Sequence, residues 1–414
     1  MAIIHNFSAK RIYIFKGRQL MRQGLCAAVV VGLALTVAGA SAAVDSKSDE
    51  TWIQCDGRPR PPDAGVIKAA HVLFFLPRMI WKNDSPAQRG AADQAHVAHG
   101  IEGVAACEAA MSDVRSRDWP LRRASQWVAL TLHALTAGLQ DPARLPAFAD
   151  VVARYQAERA QAKWPDTVLW EADGWIDAMT AVAAMASGEK DGGSRLATLV
   201  ARRPADFDLL RFVATAALLP DCDQPTRLAL WMRLAAFDRS QRPIVNALQT
   251  APSLPFLPSG EELVAELWRQ LVPNLNLVEG AAEVDKYGQS GFGGRGFDSQ
   301  SIDQGTGARV TYEGSVTSPE MVQEMALYRA AEMAEAAGAP RLRIKAFLPW
   351  KTIMTSHTFM NGAMIGGSSH IVSYKVAYDV TFVRDDADAD STIEVASLVT
   401  SLRQDFIPML NRQR

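Results

Sequence analysis

The hydrophobic periodicity of the chain changes once, and this change constrains the fold more than any other feature. Across residues 65–278 apolar residues recur at helical spacing, and Pro or Gly interrupts the pattern at short intervals. Further along, apolar and polar residues alternate strictly, as in RLRIK at residues 341–345. Helical spacing predicts amphipathic helices, whereas alternation predicts strands with one solvated face. The sequence therefore predicts an α+β protein of two domains: an all-α domain of helical hairpins, then a small α+β domain.

The helical domain is predicted over residues 65–278 as helix pairs with short connections. Trp127, Leu130, Ala134 and Ala137 form one apolar stripe, and we expect Gly138 to end their helix. Pro or Gly breaks in the sequence place further helices at residues 145–163, 168–186, 195–203, 207–219 and 225–237.

The α+β domain is predicted over residues 291–386, after a linker at residues 279–290. A strand at residues 309–313 precedes a helix with strong start signals: Ser318 can cap it and Pro319 suits its first turn. Thr317 and Glu320 can form a capping box, and Gly338 ends the helix. Strands at residues 341–346 and 374–382 follow, so that one helix covers an antiparallel sheet. Residues 387–414 are expected to form an acidic loop and a C-terminal helix.

The helical half resembles degenerate tetratricopeptide repeats. In that family a large residue, a small residue and a Gly mark the first helix of each pair, while an Ala and an aromatic mark the second. Here Trp127, Ala134, Gly138, Phe148 and Tyr155 occupy such positions. Stacked helix pairs of this kind form a concave surface, so the resemblance implies a protein or peptide partner. A plain helical bundle is the alternative fold.

The last hundred or so residues are similar to a family of small bacterial envelope lipoproteins of unknown function. The likeness rests on Gly291 and Phe292, on the strand with Val310 and Tyr312, and on TSPEMVQEMALYRAAEMAEAAG at residues 317–338. It implies an envelope setting and no known chemistry. The chain departs from the family because it has no lipid-acceptor Cys after its apolar N-terminal run.

The N-terminal residues 1–42 have the pattern of a secretory signal peptide. Arg22 precedes an apolar run from Leu25 to Ala38, and small residues lead to a cleavage position after Ala42. Met21 is an alternative start. The run is shorter than a membrane-spanning helix, so we expect a periplasmic or secreted protein without an integral span once the signal is removed. An uncleaved anchor is the alternative, and residues 43–64 form a Pro-rich entry segment.

Three cysteines follow the predicted cleavage position, in a compartment that permits disulfides. The odd number leaves at least one of Cys55, Cys107 and Cys222 unpaired. Spacing alone does not determine connectivity. We favour a disulfide between Cys55 and Cys107, because a cross-link would stabilise the Pro-rich entry segment, which contains Cys55, more than any other segment.

The balance of charge and the common catalytic motifs bear on function mainly by exclusion. Lys and Arg total 43 against 45 Asp and Glu, so no basic footprint for nucleic acid is present. The chain contains no G-x-S-x-G, H-E-x-x-H or C-x-x-C motif. The leading hypothesis is therefore a non-enzymatic envelope protein that acts as a scaffold. The first alternative is a hydrolase-type enzyme, whose site at the cleft between the domains would show titratable side chains with shifted pKa values.

A methionine- and histidine-containing segment suggests a second alternative, a copper-handling protein. Residues 349–370 are expected to form a long insertion between two strands, and they carry Met354, His357, Met360, Met364 and His370. Thioether and imidazole are ligands that Cu(I) prefers, and a mobile loop with these spacings could wrap one ion. Methionines in such a segment can equally serve as adaptable packing groups. Copper apart, no cofactor is expected.

Overall fold

The computed structural model describes residues 46–58, 60, 97–162, 164, 166–204, 206–219, 222–250, 296–314, 319–360, 363–384 and 392–411. The predicted signal peptide, the linker at residues 279–290, Thr317, Ser318 and the acidic residues 385–391 lie outside this set. Residues 49–414 form one compact unit. The helical part and the sheet part described below therefore belong to the same body.

The front of the described chain is helical, as the periodicity predicts. Its helices are α1 (Ser46–Asp56), α2 (Gly100–Ser112), α3 (Val114–Asp118), α4 (Pro120–Gln140), α5 (Leu145–Gln161), α6 (Asp166–Ala186), α7 (Gly192–Arg202), α8 (Phe207–Ala216), α9 (Gln224–Phe237) and α10 (Arg242–Thr250). Helix α4 is central, because α2, α5 and α6 all pack against it. Within this part of the structure, no helix combines the length and apolar character needed to cross a membrane.

Aspartates begin several of these helices. Asp206 accepts a hydrogen bond from the Leu209 backbone N–H at 3.0 Å, and Asp223 accepts one from the Thr226 N–H at 2.9 Å. Such caps satisfy backbone donors that have no partner within the helix.

The end of α4 differs from the prediction, because the helix continues through Gly138 to Gln140. A Cβ atom at Gly138 would lie 2.6 Å from Cδ2 of Leu145, at the start of α5. The glycine therefore allows the two helices to approach closely and does not end the first one.

The second part of the described chain is an antiparallel sheet with two helices. In chain order it contains β1 (Gly296–Ile302), β2 (Gly307–Gly314), α11 (Pro319–Ala336), β3 (Arg341–Met360), β4 (Ala363–Val383), β5 (Ile393–Glu394) and α12 (Val395–Asn411). The strand order is β1-β2-β4-β3-β5, and every neighbouring pair is antiparallel. Helix α11 packs on β2 and β4, and α12 packs on α11. The predicted antiparallel sheet covered by a helix is confirmed.

The predicted insertion at residues 349–370 is wrong as a loop, because strand pairing runs almost through it. Strands β3 and β4 are 20 and 21 residues long, and their pairing continues to Met360 opposite Ala363. Strand β2 pairs with β4 only up to Tyr374, so among the described strands β3 and β4 continue as a two-stranded ribbon. The segment contains three Thr and two Ile residues, which favour extended backbone, and its Gly and Met residues obscure that signal.

Candidate functional site

A groove lies between α2 and α5, above α4. It consists of two adjoining chambers with volumes of about 620 and 460 Å³. Glu108 on α2 and Arg154 on α5 line both chambers, and their side chains form an ion pair of 3.0 Å. Each of these two side chains is about half exposed, so the pair is worth at most about 1 kcal/mol. The ion pair is thus a weak bridge over a continuous groove.

The floor of the groove is the apolar stripe of α4. Ala134 and Ala137 line the first chamber, while Trp127 and Leu130 line the second. These are the four residues whose spacing predicted the helix. The small alanine side chains give the first chamber its depth, and the Trp127 ring gives the second a flat apolar surface.

The second chamber also carries a positive pair of side chains. The guanidinium groups of Arg123 and Arg154 lie 5.5 and 5.8 Å from the centre of the Trp127 ring. Arg123 donates two hydrogen bonds to the Glu158 carboxylate, at 2.7 and 2.6 Å. Burial alone would raise the pKa of Glu158, but its hydrogen bonds, led by those from Arg123, lower the pKa below its usual value. The walls of the groove therefore present fixed charges of both signs.

The wall formed by α2 is fastened to the entry segment. Cys55 and Cys107 form a disulfide, the pairing favoured from the sequence, and it joins α1 to α2. Cys222 is the free cysteine of the described residues, and burial raises the pKa of its thiol to about 11. A thiol with so high a pKa stays protonated and unreactive at neutral pH.

Buried polar contacts surround the disulfide. Arg122 donates to the Asp56 carboxylate at 2.7 Å and to the Arg58 carbonyl at 3.0 Å. The His133 ring donates from Nε2 to the Cys55 carbonyl at 2.8 Å, and burial lowers the pKa of His133 to about 4. His133 is therefore neutral at physiological pH, and the ring serves to hold the entry segment in place.

The structure does not gather the five predicted copper ligands around one point. In the β3–β4 register Met354 lies opposite His370, His357 opposite Gly367 and Met360 opposite Ala363. Because a strand rises about 3.3 Å per residue, Met354 and Met360 lie about 20 Å apart along β3. Among the residues that the structure describes, no group of three or more His, Cys, Asp and Glu side chains could hold a metal ion. The expected ion-wrapping loop is thus replaced by an extended ribbon.

A second candidate site, a carboxylate cluster, lies where the helical part meets the sheet part. It consists of Glu171 on α6, Asp206 and Asp208 at the start of α8, and Glu320 and Glu324 in the first turns of α11. Glu171, Asp206, Glu320 and Glu324 are each at most 2% exposed. Arg203 lies 3.4 Å from the Asp206 carboxylate and 3.7 Å from the centre of the Trp170 ring.

Three members of the carboxylate cluster, Asp206, Asp208 and Glu320, have pKa values raised above those of carboxylates in water. Burial, followed by the charges of Glu171, Asp206 and Asp208, raises the pKa of Glu320 well above its usual value. Burial raises the pKa of Asp206 to about 6, although Arg203 opposes that change. Tyr374 on β4 shares this environment: its pKa is raised to about 12, first by burial and then by the charges of Glu320 and Glu171.

Little in the sequence indicates this cluster. The sequence predicts that Glu320 is part of a capping box, a role usually found near the surface, but in the structure Glu320 is buried. Glu320, Gln323 and Glu324 share the spacing i, i+3, i+4, which places them on one face of α11. That polar spacing is the sequence signal that points to the cluster. Gln323 contacts the helical part directly, because its side-chain oxygen accepts from the Phe207 N–H at 3.3 Å.

No protein-family model, curated protein or solved structure matches the chain. The function of the protein must therefore be inferred from the groove, the carboxylate cluster and the sequence itself.

Proposed function

We propose that the protein is an exported, non-enzymatic component of the cell envelope that binds an amphipathic helix of a partner protein in the groove between α2 and α5. One observation carries this proposal: an elongated groove with an apolar floor and charged walls, formed on three helices. Its export is supported by the signal-peptide pattern of residues 1–42, and its envelope setting by the resemblance of the C-terminal region. Degenerate tetratricopeptide-like stacking of the helix pairs is part of the same proposal.

The geometry of the groove favours a helical ligand. Helices α2 and α5 both pack on α4, and packed helix axes lie about 8–10 Å apart. A helix laid between α2 and α5 would thus become the fourth member of a small bundle. The floor stripe from Trp127 to Ala137 covers eleven residues of α4, a rise of about 15 Å from first to last. That length matches three or four anchor positions of a bound helix at spacings of three and four residues.

The chemistry of the groove defines the partner further. The deep space above Ala134 and Ala137 suits a bulky aliphatic or aromatic anchor, whose burial would contribute about 2–3 kcal/mol. Arg144 and Asp150 also line the first chamber, so the flanks of a bound helix should carry charges of both signs. The Glu108–Arg154 bridge can open at little cost to admit the ligand.

We predict that partner binding depends on the open volume at Ala147, an exposed residue of α5 that lines the first chamber. A photo-reactive amino acid placed at Ile101, on the opposite wall, should cross-link one envelope protein in cells. A synthetic peptide of the cross-linked segment should become helical on binding the purified protein. Ala147→Trp should weaken that binding at least about tenfold, a loss of about 1.4 kcal/mol, as measured by fluorescence anisotropy.

Ala149→Trp is the matched control, because Ala149 is also exposed on α5 but does not line the groove. It should leave the dissociation constant within about twofold of the original value, a change of less than 0.5 kcal/mol. Equal binding by both variants, or a cross-linked segment that stays non-helical when bound, would rule the proposal out.

An enzymatic function is supported by one feature, the carboxylate cluster with raised pKa values at the meeting of the two parts. Its members Glu171, Glu320 and Glu324 are at most 2% exposed. A substrate would therefore reach them only after the two parts separate. For this reason we favour partner binding over enzyme activity as the function of the protein.

A further inference from the structure

The contact between the helical part and the sheet part has two sectors. One is an aromatic cluster formed by Phe207, Phe237, Phe347 and Tyr378, with ring centres 5.1 to 6.5 Å apart for the contacting pairs. The other is the carboxylate cluster. The aromatic sector is ordinary apolar packing, which stabilises the contact at any pH. The carboxylate sector is different, because its contribution depends on protonation.

Glu320 is the member of the carboxylate cluster that is least compensated. It is 2% exposed, and neither of its carboxylate oxygens accepts a hydrogen bond from another residue of the described chain. Its nearest charged influences are carboxylates from the opposite part, Glu171, Asp206 and Asp208. An ionised carboxylate in such a place would lose its hydration without gaining a cation, which is costly. A protonated Glu320 avoids this cost.

The cations around the cluster are engaged by groups other than Glu320. Arg203 stacks on Trp170 and pairs with Asp206, while Arg211 lies 3.7 Å from Asp208. Arg233 on α9 donates to the Pro204 carbonyl at 3.1 Å. The titratable and charged groups that face Glu320 and its neighbours are Glu171 on α6, Arg203 after α7, Asp206, Asp208 and Arg211 on or next to α8, Arg233 on α9, Glu324 on α11, and Tyr374 and Tyr378 on β4. Negative groups thus outnumber positive ones.

We propose that the carboxylate cluster is a proton-dependent lock, in which protonated Glu320 holds α11 against the helical part and loss of that proton loosens the contact between the two parts. The lock needs no bound ligand other than the proton. It lies where α11 meets both the helical part and Tyr374 of β4. We expect it to act on the contact between the parts, because the apolar packing of α11 on β2 and β4 does not depend on protonation.

The direction of the pH effect follows from the pKa changes. Glu320 has a usual pKa of 4.5, and its pKa in the folded protein is raised. A group with a raised folded pKa binds its proton more tightly in the folded state, so stability is full below pH 4.5 and falls as the pH rises towards and through the folded value. Asp206, with a folded pKa of about 6, adds to the fall between pH 4 and pH 6. The stability contributed by the carboxylate cluster should therefore fall from mildly acidic to alkaline pH. His133, whose pKa is lowered to about 4 in the folded protein, acts in the opposite direction between pH 4 and pH 6.5.

The test is the pH dependence of unfolding in the Glu320→Gln variant. Glutamine has the shape of protonated glutamic acid but holds its neutral form at every pH. The equilibrium constants for unfolding of the unmodified protein and of Glu320→Gln are measured by urea denaturation at pH 5 and pH 8. Because His133 and the other titratable groups are common to both proteins, the ratio of the two constants isolates Glu320. That ratio, unmodified protein over variant, should rise at least about tenfold between pH 5 and pH 8, the amount that corresponds to one pKa unit. Hydrogen exchange at α11, corrected for the intrinsic effect of pH, should accelerate in the unmodified protein and not in the variant.

Glu335→Gln is the matched control, since Glu335 is an exposed carboxylate on the same helix. It should keep the pH dependence of the unmodified protein. If Glu320→Gln does not fold, Glu171→Gln tests the same cluster from the opposite side and should also flatten the pH dependence. A foldable cluster variant that keeps the pH dependence of the unmodified protein would overturn the proposal.

Discussion

Replacing Cys55 and Cys107 together by alanine is expected to lower the free energy of unfolding by about 4 kcal/mol. The disulfide closes a loop with a sequence separation of 52 residues, and releasing a loop of that length gives the unfolded chain about that much conformational freedom. Urea denaturation of the purified protein measures the loss. The unmodified protein in dithiothreitol should show the same loss, because reduction removes the same cross-link.

Cys222→Ala is the control for this prediction, since Cys222 is buried but has no disulfide. Its stability should still fall when dithiothreitol is added, whereas that of the double variant should not. A double variant as stable as the unmodified protein would contradict the pairing.

Loss of the disulfide should also weaken partner binding in the groove. Cys107 lies on α2 directly before Glu108, which lines both chambers. Without the cross-link, α1 remains attached through the Asp56–Arg122 pair and the hydrogen bond from the Ala98 N–H to the Gln54 carbonyl. Since the pair is buried, it holds the segment only as long as water is kept out. Partner binding should therefore weaken in the double variant, whereas Cys222→Ala should leave it unchanged.

The helices and the sheet could be predicted because their signals are local. The stripe from Trp127 to Ala137 and the alternation at residues 341–345 each repeat with the period of one structure, whatever surrounds them. Two predictions were wrong because a glycine is compatible with more than one local structure. Gly138 permits a close helix contact instead of ending the helix. Gly366 and Gly367 pair with Thr358 and His357 in the two-stranded ribbon instead of lying in a mobile loop.

The edge strand β1 and the candidate sites depend on contacts between distant residues. Strand β1, GFDSQSI, is mostly polar, so it has no apolar alternation to detect and is positioned by pairing with β2. The groove floor was visible as a stripe, but the same stripe would have been equally consistent with a fully covered core. Glu320 comes near Glu171 only because the helical part and the sheet part meet, and no local pattern reports that meeting. The sequence therefore predicted the elements well and the sites poorly.

Phe237→Ala should produce the second large effect, a loss of about 3–5 kcal/mol in the free energy of unfolding, as expected for removal of a buried aromatic ring. Phe237 ends α9, is 8% exposed, and has ring contacts of 6.3 to 6.5 Å with Phe207, Phe347 and Tyr378. Two of these partners belong to the sheet, so the ring stabilises both parts at once.

The distinctive expectation for Phe237→Ala is that both parts lose stability together. Hydrogen exchange of the amides in α9 and in β4 should accelerate in parallel, because residues 49–414 form one compact unit with a shared core. Leu348→Ala is the control: Leu348 lies next to Phe347 on β3 but is 42% exposed, and its loss should cost no more than about 0.5 kcal/mol. Faster exchange in α9 with unchanged exchange in β4 would show that the sheet part is stable without the helical part. In that case the aromatic sector would be a contact between independent domains, and the carboxylate cluster beside it would have to act without help from a shared core.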